Sequence, residues 1–316
     1  MCFMKKVIKY IIFIIIFIVI FNMLTLLFVR KGNGYGTDVL NFYSQDRNSI
    51  DILFLGSSHA YSAFNPYLLE EETGLNGYNF STQQQPIWIT YYYLKEALKY
   101  QQPKYVVLEV HMAIVGNQEY ALEQVNRDAI DKMRISTNKI NAINSSVEKE
   151  DRVYYYFNIM KYHYRYKELN SSDFKTVFLN YSIDNKGYTP LDETDYIFNK
   201  NSIKYSDEID KIYDKNELYL NEIVKLTKEN NIKLIFVKTP TIYNEEEYKK
   251  LNYLKEYAKG NNILFFDYIS NIDCLNLENN DFYDSGHLNK NGSQKFSLEF
   301  SWQLNNIIDD ENREIK

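Results

Sequence analysis

The sequence predicts an α/β protein built on a doubly wound parallel sheet and preceded by a membrane-spanning helix. Three observations predict it. Five short apolar runs alternate with stretches of helical length and periodicity, the pattern of strands joined by crossover helices. The strongest of those runs are continuously apolar, as expected where helices cover both faces of a sheet. Finally, Tyr10–Val29 is a twenty-residue stretch without a charge, rich in Ile and Phe. As a helix it is about 30 Å long, the thickness of a bilayer's hydrocarbon core.

In chain order, residues 1–31 read as a cytoplasmic tip and transmembrane anchor. The apolar stretch is longer than that of a cleaved signal peptide and lacks a small-residue cleavage site, so the sequence predicts an uncleaved anchor. Residues 32–47 are a linker, opening in the glycine-containing KGNGYGT at 31–37. IDILFLG (50–56) is the first strand. Asn65 and Pro66 then read as an N-cap and a first helical residue, with Gly74 as the stop. YNF (78–80) is a short second strand, 86–100 a helix, and KYVVLEV (104–110) the third strand. The same grammar returns later. A helix over 214–230 precedes IKLIFVK (232–238), and a helix over 244–259, capped by Gly260, precedes NILFFDY (262–268). A final helix covers 291–308, and the charged tail DDENREIK is expected in solvent. Residues 48–112 and 211–316 thus form the two parts of one sheet domain. Between them, 113–210 is polar, Tyr-rich and helical in propensity, too long for a connection, and is expected to be a helical insertion or lid.

With 45% apolar and 25% charged residues, the chain is neither disordered nor fibrous. Five of its 36 basic residues (Lys5, Lys6, Lys9, Arg30, Lys31) flank the apolar stretch, where no acid occurs. The other 31 face 42 acidic residues, a net of −11, which argues against nucleic-acid binding. The slight excess of Lys before the span orients the amino terminus to the cytoplasm, and two cysteines, Cys2 and Cys274, are compatible with an exterior domain. They exclude a disulfide framework and a cysteine-built zinc site.

Two segments carry chemistry. Gly56-Ser57-Ser58-His59 follows the first strand, where a serine is presented at the sheet's carboxyl edge beside a helix start whose N–H groups suit an oxyanion. Asp284-Ser285-Gly286-His287 follows the fifth strand; an Asp three residues before a His accepts from one ring nitrogen while the other faces a serine. Asp281 is a second carboxylate in reach at a less natural spacing. Of four histidines, His59, His111 and His287 fall at strand-end loops and converge, His59 being expected to pack locally, whereas His163 lies in the insertion. Those three with Asp284 nominally make a metal set, but no short ligand spacing supports it, and no metal or other cofactor is expected. The Tyr runs at 91–93, 154–156 and 162–166 suggest carbohydrate stacking, but a general bias of composition explains them more simply; Trp88 and Trp302 are packing residues.

Together the two segments resemble the SGNH/GDSL hydrolase superfamily, and FLGSSHAY (54–61), residues 91–110 and DSGHLNKNG (284–292) look like its membrane-anchored cell-envelope branch. That branch includes DltD of teichoic-acid D-alanylation and accessory proteins of exopolysaccharide O-acetylation, and HYRYKEL (163–169) has the look of a segment found there. The resemblance spans roughly 48–112 and 215–305 and implies a flavodoxin-like five-stranded sheet of SGNH type. It aligns Ser58 with the nucleophile and Asp284 and His287 with the rest of a triad. Three features depart from the family: Ser57 replaces its first-block Asp, the loop Ser81–Gln85 lacks its oxyanion glycine, and Glu109-Val110-His111 stands where Gly-x-Asn-Asp is expected. Backbone N–H of Ser58, with Gln83, Gln84 or His111, are the oxyanion candidates. The resemblance implies a single-pass, extracytoplasmic acyl esterase or O-acyltransferase acting on cell-envelope polysaccharide or teichoic acid, partnered by a multi-pass membrane O-acyltransferase. The alternative is a catalytically degenerate scaffold that binds a polymer or that acyltransferase; a metal-dependent hydrolase is a third.

Overall fold

The computed structural model describes residues 2–29, 39–179 and 185–314. Of the linker expected at 32–47, residues 32–38 lie outside the described residues, whereas Val39–Phe42 form a short helix packed into the core, Phe42 stacking on Phe80 at 4.0 Å. Five strands form one parallel sheet: β1 (Ile52–Leu55), β2 (Gly77–Asn79), β3 (Tyr105–Glu109), β4 (Lys233–Lys238) and β5 (Leu264–Asp267). Their order is β2-β1-β3-β4-β5. Ile52 pairs with both Gly77 and Tyr105, which makes β1 the strand on either side of which the chain's direction of progress reverses. In such sheets a crevice opens at the carboxyl ends of the two strands flanking the reversal, here β1 and β3.

Every residue of β1 and β3 is buried, which accounts for their unbroken apolar runs. One face carries the helices Ile87–Ala97, Asp214–Glu229 and Glu245–Gly260; Tyr253 and Tyr257 of the last donate hydrogen bonds to Glu217 and Asn221 of the second. The other face carries Ser58–Ala63, Pro66–Thr73 and the closing helix Lys290–Glu314. There Phe64 stacks on Phe54 at 4.6 Å and meets Phe296 and Phe300 edge-on, each at 5.1 Å. This aromatic cluster holds the closing helix against β1, and therefore the loop that leads into that helix against the end of β1.

The expected doubly wound α/β sheet is present, and its local signals act as read. Asn65 accepts hydrogen bonds from the Tyr67 and Leu68 N–H groups, Pro66 opens the helix, and Gly74 closes it in the left-handed conformation. Two ends differ. The helix expected to stop before Gly260 runs through it, and Asn262 rather than the glycine takes the positive φ, +58°, at the turn into β5. The closing helix continues to Glu314, so much of the charged tail is helical.

Between 113 and 210 the chain forms helices at Glu123–Ile130, Thr137–Ser146, Arg152–Tyr156, Ile159–Tyr162 and Ser171–Leu179. The second lies on the Ile87–Ala97 helix, where the Trp88 indole donates to Ser146. Residues 187–204 then pass beside the helix after β1 and the loops after β4 and β5: Thr189 N–H donates to Tyr61, Phe198 stacks on Phe282 at 3.7 Å, and Lys204 N–H donates to Tyr243. The amino-terminal helix Cys2–Phe28 is long and apolar enough to cross a membrane.

Candidate functional site

Ser58 is presented by a sharp turn at the end of β1. Gly56 has φ +149°, a backbone conformation that disfavours any side chain, and a Cβ there would lie 3.0 Å from the Glu109 Cβ. Only glycine lets β1 end this close to β3. Ser57 follows as the buried N-cap, and Ser58 is the first residue of the next helix, so its N–H has no partner within that helix.

His287 reaches Ser58 from the loop after β5. Its Nε2 lies 2.8 Å from Ser58 Oγ, and its Nδ1 lies 2.9 and 3.0 Å from Asp284 Oδ1 and Oδ2. Asp284 Oδ1 also accepts the Gly286 and His287 N–H groups, at 2.7 and 2.9 Å, so the carboxylate is locked to the turn that carries its partner. Burial alone would raise the Asp284 pKa, but the hydrogen bond and charge of His287 and the two N–H groups outweigh it and hold it low. The loop is pinned at each end. Tyr283 N–H donates to His287 O, Ser285 O accepts from Ile242, and Asn289 Oδ1 caps the closing helix through the Asn291 and Gly292 N–H groups. Ser293 and Ser297, one turn apart, both donate to Ala63 O, stapling the closing helix to the end of the helix that Ser58 begins.

The three strand-end histidines stack. His59, 4% exposed, lies between His111, centroids 3.8 Å apart, and His287, 4.5 Å apart. Burial, then the charges of His111, Lys238 and His287, push the His59 pKa well down; burial and Lys238 do the same to His111. Both rings are therefore neutral at pH 7. His111 Nδ1 lies 2.9 Å from the Tyr243 hydroxyl. Beneath the stack is a feature the sequence reading missed, a fully buried ion pair between Glu109 and Lys238 at 2.6 Å, across the ends of β3 and β4. Glu109 Oε2 accepts the His111 N–H, and Thr239 Oγ1 joins Oε1 at 3.2 Å while lying 3.4 Å from His59 Nδ1. Burial lowers the Lys238 pKa and Glu109 pulls it back. A charged residue closing each of two adjacent apolar strands was the available signal.

The other candidates fall elsewhere. Gln83 and Gln84 are exposed, and among the described residues neither has a hydrogen bond to Ser58 or His287; Gln84 borders a separate small cavity with Trp88 and Met112. Asp281 is buried and committed to structure, accepting from Glu278 N–H and from Lys295. His163 is exposed and hydrogen-bonds Met160 O. The histidines meet ring face to ring face instead of converging through their nitrogens, and among the described residues no cluster of three or more ligand-type side chains could hold a metal.

No family model and no curated protein matches this chain. Solved structures do. One, described as a lipolytic protein of the G-D-S-L family from Desulfitobacterium hafniense DCB-2, is 13% identical, with 80% of this chain and 98% of that one covered at a TM-score of 0.42. Another, described as an acylhydrolase from Bacteroides fragilis NCTC 9343, is 15% identical over 84% and 93% of the chains at 0.42. The acetyl xylan esterase AlAXEase is 13% identical over 81% and 99% at 0.41. Likeness at this level leaves the functional reading to the side chains.

Proposed function

We propose that this chain is a serine acyl esterase or O-acyltransferase, held at the outer face of the cell membrane by its amino-terminal helix and acting on acylated cell-envelope polysaccharide or teichoic acid. The observation that carries the reading is the hydrogen-bonded line Ser58 Oγ, His287 Nε2, His287 Nδ1, Asp284. Ser58 Oγ attacks the ester carbonyl while its proton passes to His287 Nε2. Asp284 keeps the other ring proton on Nδ1 and stabilises the imidazolium that forms. Collapse of the tetrahedral intermediate expels the alcohol, which takes the proton from His287, and leaves Ser58 acylated. Water, or a hydroxyl of the acceptor polymer, then gives its proton to His287 and attacks the acyl-serine, releasing acid or a new ester and restoring Ser58. The oxyanion is received by the Ser58 N–H. We assign the second donor to His111 in the tautomer protonated on Nε2, which leaves Nδ1 to accept from the Tyr243 hydroxyl 2.9 Å away. The anchor, and the partner acyltransferase that the resemblance implies, place the acyl donor at the membrane.

The test is labelling by a fluorophosphonate probe and turnover of p-nitrophenyl acetate. Ser58→Ala is expected to lose both, with turnover falling at least about 10³-fold. Undiminished turnover in Ser58→Ala removes Ser58 as the nucleophile. A folded wild-type protein that neither labels nor turns over supports the scaffold reading.

A further inference from the structure

The insertion does not stop at the sheet domain; it also packs along the outer end of the amino-terminal helix. From Met4 to Ile20 that helix is exposed on every side, but Thr25, Leu27 and Val29 are buried. What covers them is the segment 157–179. Arg165 donates to the carbonyls of Phe28 and Val29, at 2.7 and 2.9 Å, capping the carboxyl end of the helix with a cation. The same guanidinium is held by the buried Asp173, 3.3 Å away. Deeper down, the Phe157 ring meets Phe21 edge-on at 6.1 Å. Phe21 lies eight residues before Val29, about 12 Å along the helix axis. The helix is exposed only from Met4 to Ile20, about 25 Å along its axis and close to the thickness of a bilayer's hydrocarbon core, so a side chain touching Phe21 stands at the headgroup–acyl boundary of the outer leaflet.

The outward surface of this segment suits that position. Tyr154, Phe157, Met160, Tyr164, Phe174 and Phe178 are between 42% and 70% exposed within some 25 residues of chain. Phe174 and Phe178 stack one helical turn apart on Ser171–Leu179, whose opposite side sends Asp173 inward to Arg165. Lys161, Lys167 and Lys175 are interspersed and exposed. Apolar rings mixed with Tyr and Lys, on short helices beside a span, are the composition of an element lying in the membrane interface.

We propose that residues 153–178 form a second membrane contact, a platform embedded at the headgroup–acyl boundary of the leaflet on which the sheet domain sits. The occupant of the exposed aromatic face is the lipid bilayer. The inference rests on the anchor reading, since continuity with the spanning helix sets the depth. The platform holds the domain to the bilayer at a fixed height through Arg165, independently of the connecting residues that follow the span.

The experiment uses the full chain, with Cys2→Ser and Cys274→Ser, reconstituted in phosphatidylcholine–phosphatidylglycerol vesicles. A nitroxide is attached at Phe17→Cys in the span, Phe178→Cys in the platform, or Leu218→Cys on the exposed surface of the sheet domain. All three sites are at least 54% exposed, so labelling should not disturb the fold. Relaxation by oxygen, which concentrates in lipid, is compared with relaxation by a water-soluble nickel chelate. The expected result is oxygen-dominated relaxation at 17 and 178 and chelate-dominated relaxation at 218. Lipid exposure at 17 with water exposure at 178 overturns the platform and leaves the anchor standing. Water exposure at 17 overturns both.

Discussion

Asp284 carries more of the site than its half-exposed position suggests, because one of its oxygens joins the turn backbone to the imidazole. An amide at this position can keep the turn but presents an N–H to Nδ1, favouring the ring tautomer that cannot accept the serine proton. Asp284→Asn is expected to lower kcat about 10²–10⁴-fold with little change in KM, measured on p-nitrophenyl acetate. The spacing Asp-x-x-His made this pair legible in the sequence, since three residues and a glycine suffice to close the turn. The oxyanion side was less legible. His111 was one of several candidates, and its link to Ser58 runs through His59, a contact between three distant segments that no local spacing encodes. Gln83 and Gln84 were offered by the resemblance alone and are exposed, since a loop's place in the sequence does not say which way its side chains point.

Among the elements, the closing helix sets the position of His287, and its first turn is built without tolerance. A Cβ at Gly292 would lie 2.2 Å from the carbonyl oxygen of Asp281, while that same backbone accepts the Asn289 N–H. Alanine ordinarily favours a helix over glycine by about 1 kcal/mol. Here the collision with main chain reverses the sign, and Gly292→Ala is expected to destabilise by about 1–3 kcal/mol, read from urea unfolding. Activity should fall with it, because the displaced turn carries the histidine. The strands, the amino-terminal helix and five helices of the sheet domain were legible because each announces itself locally, by an apolar run, by helical spacing or by Asn65-Pro66. The stop assigned to Gly260 failed for a physical reason: asparagine also tolerates the left-handed region, and Asn262 took that role two residues later. The expectation of a lid over 113–210 drew on length and composition, which do not reveal that part of this stretch packs on the first helix.

At the scale of the molecule, the neutral buried histidines couple fold stability to pH. His59 has a lower pKa folded than unfolded, so the unfolded chain binds the extra proton as pH falls below about 6.5. Stability therefore rises with pH through that window, by up to about 1.4 kcal/mol per pH unit from this group. The depressed Asp284 acts in the same direction but lower, its contribution being lost only below the ordinary carboxylate range. Urea midpoints should drop between pH 7.5 and 5.5, and His59→Phe should flatten that drop; an equal drop in the variant would assign it to other groups. The arrangement of the sheet has a further consequence. The end of the first helix, at Asn22, Thr25 and Leu26, borders a cavity shared with Tyr43 and Arg134, and Tyr43 packs on Tyr100, just before β3 begins. Ser58 lies beyond the far end of β1. The end of that helix and Ser58 thus occupy opposite rims of the sheet, separated by the length of its strands, roughly 13–20 Å. On the proposed function, an acyl group supplied at the bilayer would have to cross the height of the sheet to reach Ser58, whose side of the protein is turned away from the lipid.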